Sequence, residues 1–346
     1  MAGRPQARVT LVDVARAAGV TKGTVSKVLN ERSDVAADTR ARVLAAVDEL
    51  GYRPPASQWN LPRPRTLAAV VDALDSPYLT HVLQGVLAAA TAAQTTLLVR
   101  LAPEHAVRGT PAAARAWMSE QQAAGVVGII GLTLGTPTAL LAAAAEAGIP
   151  FVMVDPVDLD APDVVSVGST NWAGGRTATE HLVELGHRRI AWVGGPTSSA
   201  AARERFHGYR AALDSAGIEL DHGLVRHGHF SVETGRTCGR DLLSSAHPPT
   251  AVLAGDDEIA VGVLVAAREL DVPVPARLSV VGFDDTPQAA WTSPPLTSVH
   301  QPLTGMGRVA VETVLTMAAG TEPASRYVQL ATSLVVREST APAPAS

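Results

Sequence analysis

The chain has 346 residues, of which 47% are hydrophobic and 18% charged, so it is long enough for two or three domains with their own cores. It contains one cysteine, Cys238, which excludes a disulfide-stapled fold. The N-terminus lacks the apolar core of about 7–15 residues typical of a secretion signal, and no stretch reaches the length of a membrane span without Gly, Pro or charge. These features predict a cytoplasmic protein without membrane segments.

Charge is distributed unevenly along the chain. Residues 1–66 carry 11 Lys and Arg against 6 Asp and Glu, a net of +5, whereas the whole chain has a net charge of -5. The remainder therefore carries -10. A basic N-terminal segment predicts a contact with nucleic acid there, because counterion release depends on the local face and not on the average charge. The chain has only two lysines, Lys22 and Lys27, and both lie in this segment.

Residues 11–30, LVDVARAAGVTKGTVSKVLN, have the pattern of two short amphipathic helices around a turn at Gly19. Thr10 and Asp13 have the spacing of a capping box at the start of the first helix. Thr21 is positioned to cap the second helix. The apolar stripes of the two helices comprise Leu11, Val14, Ala15 and Ala18 in the first, and Val25, Val28 and Leu29 in the second.

The second helix keeps a polar face that fits the major groove of DNA. Lysine can donate to guanine O6 and N7, and hydroxyl groups can hold phosphates. The residues of this face are Lys22, Gly23, Ser26, Lys27 and Asn30. Taken alone, the pattern would also fit the first two helices of a helical bundle.

A third helix is predicted over residues 37–50, with Gly51 at its C-terminal cap. Its apolar residues are Val43, Leu44, Val47 and Leu50. The segment YRPPASQWNLPRPRT follows. From Thr10 to Leu61 the sequence resembles the headpiece and hinge of the LacI/GalR family of bacterial transcription regulators.

The resemblance implies a set of DNA contacts and a hinge. Leu61 matches the residue that family members insert into the minor groove, which unstacks a base step. Here Pro55, Trp59 and Pro62 depart from the family pattern and shorten the hinge helix, so we expect it to fold only on DNA. The expected DNA-contacting residues are Thr10, Thr21, Lys22, Gly23, Thr24, Ser26, Lys27, Asn30, Tyr52 and Leu61.

From Thr66 onward, apolar runs of strand length alternate with alanine-rich helical stretches. A first set of runs is LAAVVDA, TTLLVRL, GVVGIIG and FVMVD, and a second set is VVSVGS, IAWVGG, TAVLAGD and LSVVGF. The helical stretches are 77–93, 111–123, 136–147, 171–185, 201–216, 231–245 and 257–270. Two such sets predict two parallel α/β subdomains.

This core resembles the sugar-binding fold shared by the same family and the periplasmic binding proteins. The matching segments include DSPYLTHVLQG, EHLVELGHRRIAWVGGPTSS, ARERFHGYRAAL, LSVVGFDD and PPLTSVHQP. The expected fold is therefore an all-α helix-turn-helix headpiece with a hinge, followed by an α/β two-subdomain core of type I. The expected boundaries are 1–61 for headpiece and hinge and 62–346 for the core, with an N-subdomain of about 66–167 plus 302–327 and a C-subdomain of about 168–299 plus 328–340.

In such a core an effector binds where the strand ends of the two subdomains face each other. The resemblance assigns the effector contacts to Tyr78, Asp155, Ser199, Arg205, Phe230, Asp256, Asp284 and Gln301. Other roles are open: Arg205 could form a surface ion pair, Tyr78 and Phe230 could be core, and Asp256 could cap a helix, although Asp257 is the expected cap.

Departures from the family pattern bear on the kind of effector. Asp256 stands where Asn is common, and Trp291 adds an aromatic ring near Asp284. These changes favour a small, hydroxyl-rich ligand that is uncharged or cationic, whereas Arg205 favours an anion.

The sequence does not predict an enzyme. The G-x-S-x-G, G-x-G-x-x-G and G-K-[ST] motifs are absent. Within each of the pairs Asp256-Asp257 and Asp284-Asp285, the two consecutive side chains at a strand end point in different directions, which argues against a catalytic or metal-binding pair. The spacing of His227-Gly228-His229 resembles that of metal ligands only loosely. We expect no cofactor and no metal.

The sequence thus predicts a homodimeric regulator, most often a repressor, that binds a near-palindromic double-stranded DNA operator and is released by a small sugar-like effector. Two alternatives stay open. One is a cytoplasmic sugar-binding protein that does not bind DNA, and the other is a regulator whose ligand acts as corepressor.

Overall fold

A computed structural model describes residues 9–29, 35–50, 52, 65–102, 109–135, 137–156 and 164–344. The chain divides into two compact units, residues 1–64 and 65–346. No helix within these ranges combines the length and apolar character needed to span a bilayer.

The first unit contains three helices, α1 (Leu11–Ala17), α2 (Lys22–Leu29) and α3 (Ala37–Glu49). At the start of α1, the Asp13 carboxylate accepts hydrogen bonds from the backbone nitrogen and the hydroxyl of Thr10, at 2.9 and 2.6 Å. At the start of α2, the Thr21 hydroxyl accepts from the Thr24 backbone nitrogen at 3.1 Å. Gly19 has φ +66° in the turn between them, a conformation that glycine adopts without strain. The predicted caps and turn are confirmed.

The three helices enclose a small apolar core. It is formed by Val14, Ala15, Ala18, Val25, Val28, Val43, Ala46 and Tyr52. One expectation needs correction. Leu44 is 50% exposed, because the buried face of α3 runs through Val43 and Ala46 and leaves Leu44 outside it. Tyr52 is only 6% exposed, so its ring packs in the core, and its contact with DNA stays a prediction. Asn30, Gly51, Pro55, Trp59, Leu61 and Pro62 lie outside the described residues.

In the second unit the described residues form two six-stranded sheets. The strands are β1 (Thr66–Val71), β2 (Thr96–Leu101), β3 (Val126–Leu132), β4 (Phe151–Val154), β5 (Val165–Ser169), β6 (Ile190–Gly194), β7 (Val225–His227), β8 (Ala251–Ala254), β9 (Ser279–Asp284), β10 (Thr297–His300), β11 (Tyr327–Leu330) and β12 (Ser333–Val335). The first sheet has the strand order β11-β5-β4-β3-β1-β2 and the second β12-β10-β9-β8-β6-β7, and all neighbours are parallel except β10 and β12.

Helices cover the sheets. They are α4 (Pro77–Ala92), α5 (Pro111–Ala123), α6 (Thr138–Ala147), α7 (Asn171–Glu184), α8 (Ala200–Ser215), α9 (Val232–Leu243), α10 (Asp257–Glu269), α11 (Pro287–Trp291) and α12 (Leu303–Ala318). The apolar strands are buried between these helices, as parallel sheets require. Each sheet with its helices forms one lobe.

The structure corrects the predicted assignment of segments to lobes. The run VVSVGS, expected to begin the second set, supplies β5, which pairs with β4 in the first sheet. Residues 328–330, assigned to the C-subdomain, pair with β5 as part of β11. The chain therefore leaves the first lobe for the last time after Leu330. Sequence reasoning also missed α12, which packs on α4 in the first lobe.

Three helix pairs approach each other through glycines. A Cβ on Gly85 in α4 would lie 2.1 Å from the carbonyl oxygen of Thr304 in α12, and one on Gly307 would lie 2.2 Å from that of Val82. The pair α7–α8 meets in the same way at Gly175 and Gly208, and the pair α9–α10 at Gly235 and Gly262. Backbone atoms occupy the space of a side chain at each crossing, so no larger residue fits.

This packing predicts that Gly85→Ala lowers the free energy of unfolding by about 1–3 kcal/mol, the usual cost of overpacking. Gly23→Ala is the matched control, because the nearest atom to its Cβ would be the Thr21 hydroxyl at 3.7 Å. It should stabilise α2 by roughly 0.5–1 kcal/mol through helix propensity. Denaturant unfolding, followed for the unit that carries the substitution, measures both effects. Wild-type stability of Gly85→Ala would contradict the close helix crossing.

Candidate functional site

The polar face of α2 is the candidate DNA-binding surface. Lys22, Gly23 and Lys27 are exposed, and Ser26 is half-buried. Thr21 and Thr24 share a hydrogen bond of 2.9 Å between their hydroxyls, which fixes their orientation at the start of the helix. The face is therefore basic, rich in hydroxyl groups and free of bulky side chains, as insertion into a major groove requires.

The candidate effector site is a cavity of about 310 Å³ between the two lobes, at the carboxyl ends of their strands. It is lined by Asp72, Ala73, Asp75, Ser76, Tyr78, Leu79, Thr133 and Asp155 from the first lobe, and by Pro196, Ser198, Ser199, Ala201, Arg205, Phe230, Asp256, Glu258 and Asp284 from the second. Seven of the eight residues assigned to effector binding line this cavity. A volume of this size lies at the lower end of the usual range for small-molecule sites, about 300–1000 Å³.

Several polar contacts hold Arg205 in the cavity wall that the second lobe forms. Its Nε donates to Asn171 Oδ1 at 2.8 Å, and its Nη1 donates to the carbonyl oxygen of Gly255 at 2.6 Å. Nη1 also lies 3.3 Å from Asp284 Oδ1, and the guanidinium stacks on the Phe283 ring at 3.9 Å. With 3% exposure, Arg205 is a buried ion pair partner and not a surface one.

Gln301 does not line the cavity, which corrects its assignment as an effector contact. It is 1% exposed, and its Nε2 donates to Asp284 Oδ1 at 2.6 Å. Its Oε1 accepts a hydrogen bond from the Ser169 hydroxyl at the end of β5. Gln301 therefore positions Asp284 and links it to the other lobe.

Tyr78 and Asp155 form a hydrogen-bonded pair on the first lobe's wall. The Tyr78 hydroxyl donates to Asp155 Oδ2 at 2.5 Å. Burial raises the pKa of both groups, and the charge of Asp155 raises the pKa of Tyr78 further. Asp155 and, on the opposite wall, Asp284 have φ +43° and +103°. Non-glycine residues in this region store backbone strain of about 1–3 kcal/mol, which typically marks functional positions.

Asp256, and not Asp257, caps α10. Its Oδ1 accepts from the backbone nitrogen of Ile259 at 2.7 Å. Asp257 instead accepts from the nitrogen and hydroxyl of Thr286, at 2.7 and 2.8 Å, and from the Ser298 hydroxyl at 2.6 Å. Burial raises the pKa of Asp256 to about 7 and that of Asp257 to about 6. Of the two, only Asp256 faces the cavity.

An aromatic ring supplies an apolar wall. Phe230 lies directly on the backbone of Gly195, where a Cβ would come within 2.4 Å of the ring. Such a surface suits the C–H face of a sugar ring. Trp291, expected near Asp284, is 75% exposed and does not line the cavity.

Sequence reasoning missed three acidic residues of the cavity, Asp72, Asp75 and Glu258. Asp72 follows β1 directly and Asp75 lies in the loop after it, so the rule that ligands bind at strand ends could have identified them. Glu258 lies in the first turn of α10 beside Asp256. Within the described ranges, no three His, Cys, Asp or Glu side chains are arranged to hold a metal ion.

A helix-turn-helix unit joined to a two-lobed α/β core with an interlobe cavity defines a class of ligand-responsive DNA-binding proteins. A profile described as "Bacterial regulatory proteins, lacI family" matches residues 10–55, and one described as "Periplasmic binding protein-like domain" matches residues 179–340. The chain is 35% identical to the HTH-type transcriptional regulator CelR of Thermobifida fusca, with 96% of this chain and 98% of CelR covered. It belongs to the lacI family and is a DNA-binding transcription regulator.

Solved structures show the same similarity. A complex of the transcriptional regulator CelR with cellobiose matches with a TM-score of 0.70 and 35% identity, covering 96% of this chain and 100% of that one. The lac repressor dimer, bound to operator and an anti-inducer, matches with a TM-score of 0.79 and 30% identity, covering 97% of this chain and 100% of that one. The predicted family and fold class are confirmed.

The raised pKa of Asp256 predicts how stability depends on pH. The folded state holds this proton more tightly than the unfolded chain, so its contribution to stability is present below about pH 4 and is lost as the pH rises through about 7. Asp256→Asn keeps the helix cap and removes the titration. We expect it to match wild type at pH 4 and to exceed it by about 4 kcal/mol at pH 8.

Denaturant unfolding between pH 4 and pH 8 measures this difference. Asp241→Asn, at an exposed carboxyl on α9, is the matched control and should leave the pH profile unchanged. A profile for Asp256→Asn parallel to that of wild type would contradict the prediction.

Proposed function

We propose that the protein is a homodimeric repressor that binds a near-palindromic operator and is released when a small, hydroxyl-rich effector occupies the interlobe cavity. The observation that carries this proposal is the cavity itself. It gathers the strand ends of both lobes around one buried arginine and several carboxylates, and a ligand there contacts both lobes at once. We place this activity in the cytoplasm, where the chromosome is accessible.

The sugar class of the effector is supported by the chemistry of the walls. Carboxylates such as Asp155 and Asp284 accept hydrogen bonds from the hydroxyl groups of a sugar, and Arg205 donates hydrogen bonds to such hydroxyl groups. Phe230 offers a flat apolar surface. The similar regulator CelR is described in complex with cellobiose, a sugar. This pattern supports a neutral polyol or a related molecule.

An exposed apolar surface on the first lobe supports dimerisation. Leu87 on α4 is 55% exposed, and Val99 and Leu101 on the edge strand β2 are 43% and 64% exposed. Leu74, in the loop after β1, is 53% exposed. Apolar side chains of this size, gathered on neighbouring elements, typically mark a protein interface. A second copy of the chain would also supply the second headpiece that a symmetric operator requires.

We propose that the effector releases the protein from its operator and does not tighten operator binding. A ligand shifts the arrangement of the lobes only by its difference in affinity for the two arrangements. The alternative is that the ligand acts as a corepressor. A measured rise in operator affinity with ligand would establish it.

Lys27 is proposed to read a base edge in the major groove. Lys27→Ala should weaken operator binding by about 1–3 kcal/mol and relax the preference at one base pair of each half-site. Arg16→Ala is the control, because Arg16 is exposed on α1 and pairs with Asp13 at 3.6 Å. Binding to a library of single-base operator variants measures the preference. Equal weakening on every variant would instead make Lys27 a phosphate contact.

The regulatory role of the cavity is tested by Phe230→Ala. Loss of the ring should weaken effector binding by about 10–100-fold, or roughly 1.4–2.7 kcal/mol, and leave operator affinity without effector unchanged. Trp291→Ala is the control, since this exposed ring does not line the cavity. Operator affinity is measured with increasing concentrations of an effector found by thermal-shift screening of sugars. An unaltered response in Phe230→Ala would remove the cavity from the switch.

A further inference from the structure

Five buried residues form a closed ring of hydrogen bonds and one ion pair beside the effector cavity. Asn171 Oδ1 accepts from Arg205 Nε at 2.8 Å, and Arg205 Nη1 lies 3.3 Å from Asp284 Oδ1. Gln301 Nε2 donates to the same carboxylate oxygen at 2.6 Å, and Gln301 Oε1 accepts from the Ser169 hydroxyl. Asn171 Nδ2 donates to the carbonyl oxygen of Ser169 at 3.4 Å and closes what we call the polar ring. Its members are at most 5% exposed.

The polar ring connects the effector cavity with the passages of the chain between the lobes. Arg205 and Asp284 line the cavity, whereas the other three members do not. Ser169 ends β5 in the first lobe and Asn171 begins α7 in the second, so they flank the first passage. Gln301 lies in the second passage, between β10 and α12. A ligand that contacts Arg205 or Asp284 therefore touches the same bonded group that holds two of the passages.

The third passage, between β11 and β12, is bonded to the first. The backbone nitrogen of Thr332 donates to the Thr170 hydroxyl at 2.9 Å. Gln329 Nε2 donates at 3.3 Å to the carbonyl oxygen of Ser169, the same oxygen that accepts from Asn171. The three passages therefore form one hydrogen-bonded joint, and Ser169 belongs both to this joint and to the polar ring.

Asparagine is the residue type that its place in the ring requires. The arginine side chain has donors only, so the amide oxygen of Asn171 faces Arg205, and the amide nitrogen is left to donate to Ser169. An aspartate would keep the acceptor and lose the donor. Neither of the two bonds goes to the backbone of α7, so capping of that helix does not explain them. They fix the guanidinium, and because this group is planar, its other donors then point in a set direction.

We propose that the polar ring holds the lobes in one arrangement in the ligand-free protein and that Asn171 is the positioning residue that closes it. This inference rests on the proposed function and specifies how the site regulates. Hydrogen bonds in a buried network reinforce one another, so the loss of one bond weakens the others. A ligand that bonds to Arg205 or Asp284 competes with the ring and changes the joint through it. Asn171 transmits this change although it does not line the effector cavity.

Hydrogen–deuterium exchange of the full-length, ligand-free protein tests the ring. Asn171→Ala removes both bonds of the amide, and Asn171→Asp removes only the donor to Ser169. Each should raise exchange by about tenfold in the peptides that contain Gln301 and Thr332, whose backbone amides are hydrogen-bonded in the joint. Exchange in β1 and β3 should stay as in wild type, because a general loss of stability would raise exchange there as well.

Gln121→Ala is the matched control. Gln121 is also a buried amide, but its nitrogen donates to the carbonyl oxygen of Trp117 within its own helix, α5. Its removal should leave exchange at Gln301 and Thr332 unchanged, since this bond is not part of the ring.

A double substitution tests whether the ring acts as one unit. Asn171→Ala and Gln301→Ala remove different bonds of the ring, and independent effects on exchange at Thr332 would multiply to about a hundredfold. In a cooperative ring either substitution already opens the whole group. The double variant should therefore exchange within about twofold of the faster single variant.

Wild-type exchange at Gln301 in both Asn171 variants would overturn the proposal. So would a rise that is equally large in β1 and β3, an equal rise in Gln121→Ala, or effects that multiply in the double variant.

Operator binding separates this proposal from the proposed function. If the Asn171 variants raise exchange in the joint and change operator affinity by about fivefold or more, both proposals stand. If exchange rises and operator affinity stays that of wild type, the ring stands and control of the operator through the lobes falls. If exchange does not rise and a sugar still releases the operator, the ring falls and the proposed function stands.

Discussion

The arrangement of the cleft depends on how closely the helices α7 and α8 approach each other. At their crossing, a side chain on Gly175 would occupy the position of the carbonyl oxygen of Arg205, and one on Gly208 that of Trp172. This backbone contact places Arg205 where its guanidinium reaches Asn171 at the start of α7. The ion pair with Asp284 and the shape of the cavity wall follow from it. A packing constraint among small residues thus determines the position of Arg205, the one buried Lys or Arg among the residues that the structure describes.

Electrostatics makes the candidate cavity suited to a ligand. Burial raises the pKa of Asp155, Asp256 and Asp284, which favours their protonated forms. Desolvated acids of this kind are costly unless they are paired. A ligand that supplies hydrogen-bond donors or positive charge satisfies them from both lobes at once. Binding and the relative arrangement of the lobes are coupled through the same few groups.

The sequence was sufficient for features that depend on local spacing. The caps at Thr10 and Thr21 and the parallel α/β pattern were predicted from neighbouring residues. The family resemblance, and not local spacing, selected the eight expected effector residues, of which seven line the cavity. Features set by long-range packing were not. The burial of Tyr52, the role of Gln301 as a link between lobes and the membership of β11 in the first sheet depend on segments far apart in the chain. The need for glycine at the helix crossings likewise could not be read from neighbouring residues, because it arises from the backbone of the partner helix.

The chain passes between the lobes at three points, and hydrogen bonds join these points to one another. The Ser169 hydroxyl donates to Gln301, the carbonyl oxygen of Ser169 accepts from Gln329 at 3.3 Å, and the hydroxyls of Thr170 and Thr332 lie 2.9 Å apart. The joint and the candidate ligand site share a component, because Gln301 also donates a hydrogen bond to Asp284. A substitution that alters ligand preference at Asp284 therefore also alters the stiffness of the joint. In this fold, evolution cannot change ligand specificity at Asp284 without also changing how the two lobes move relative to each other.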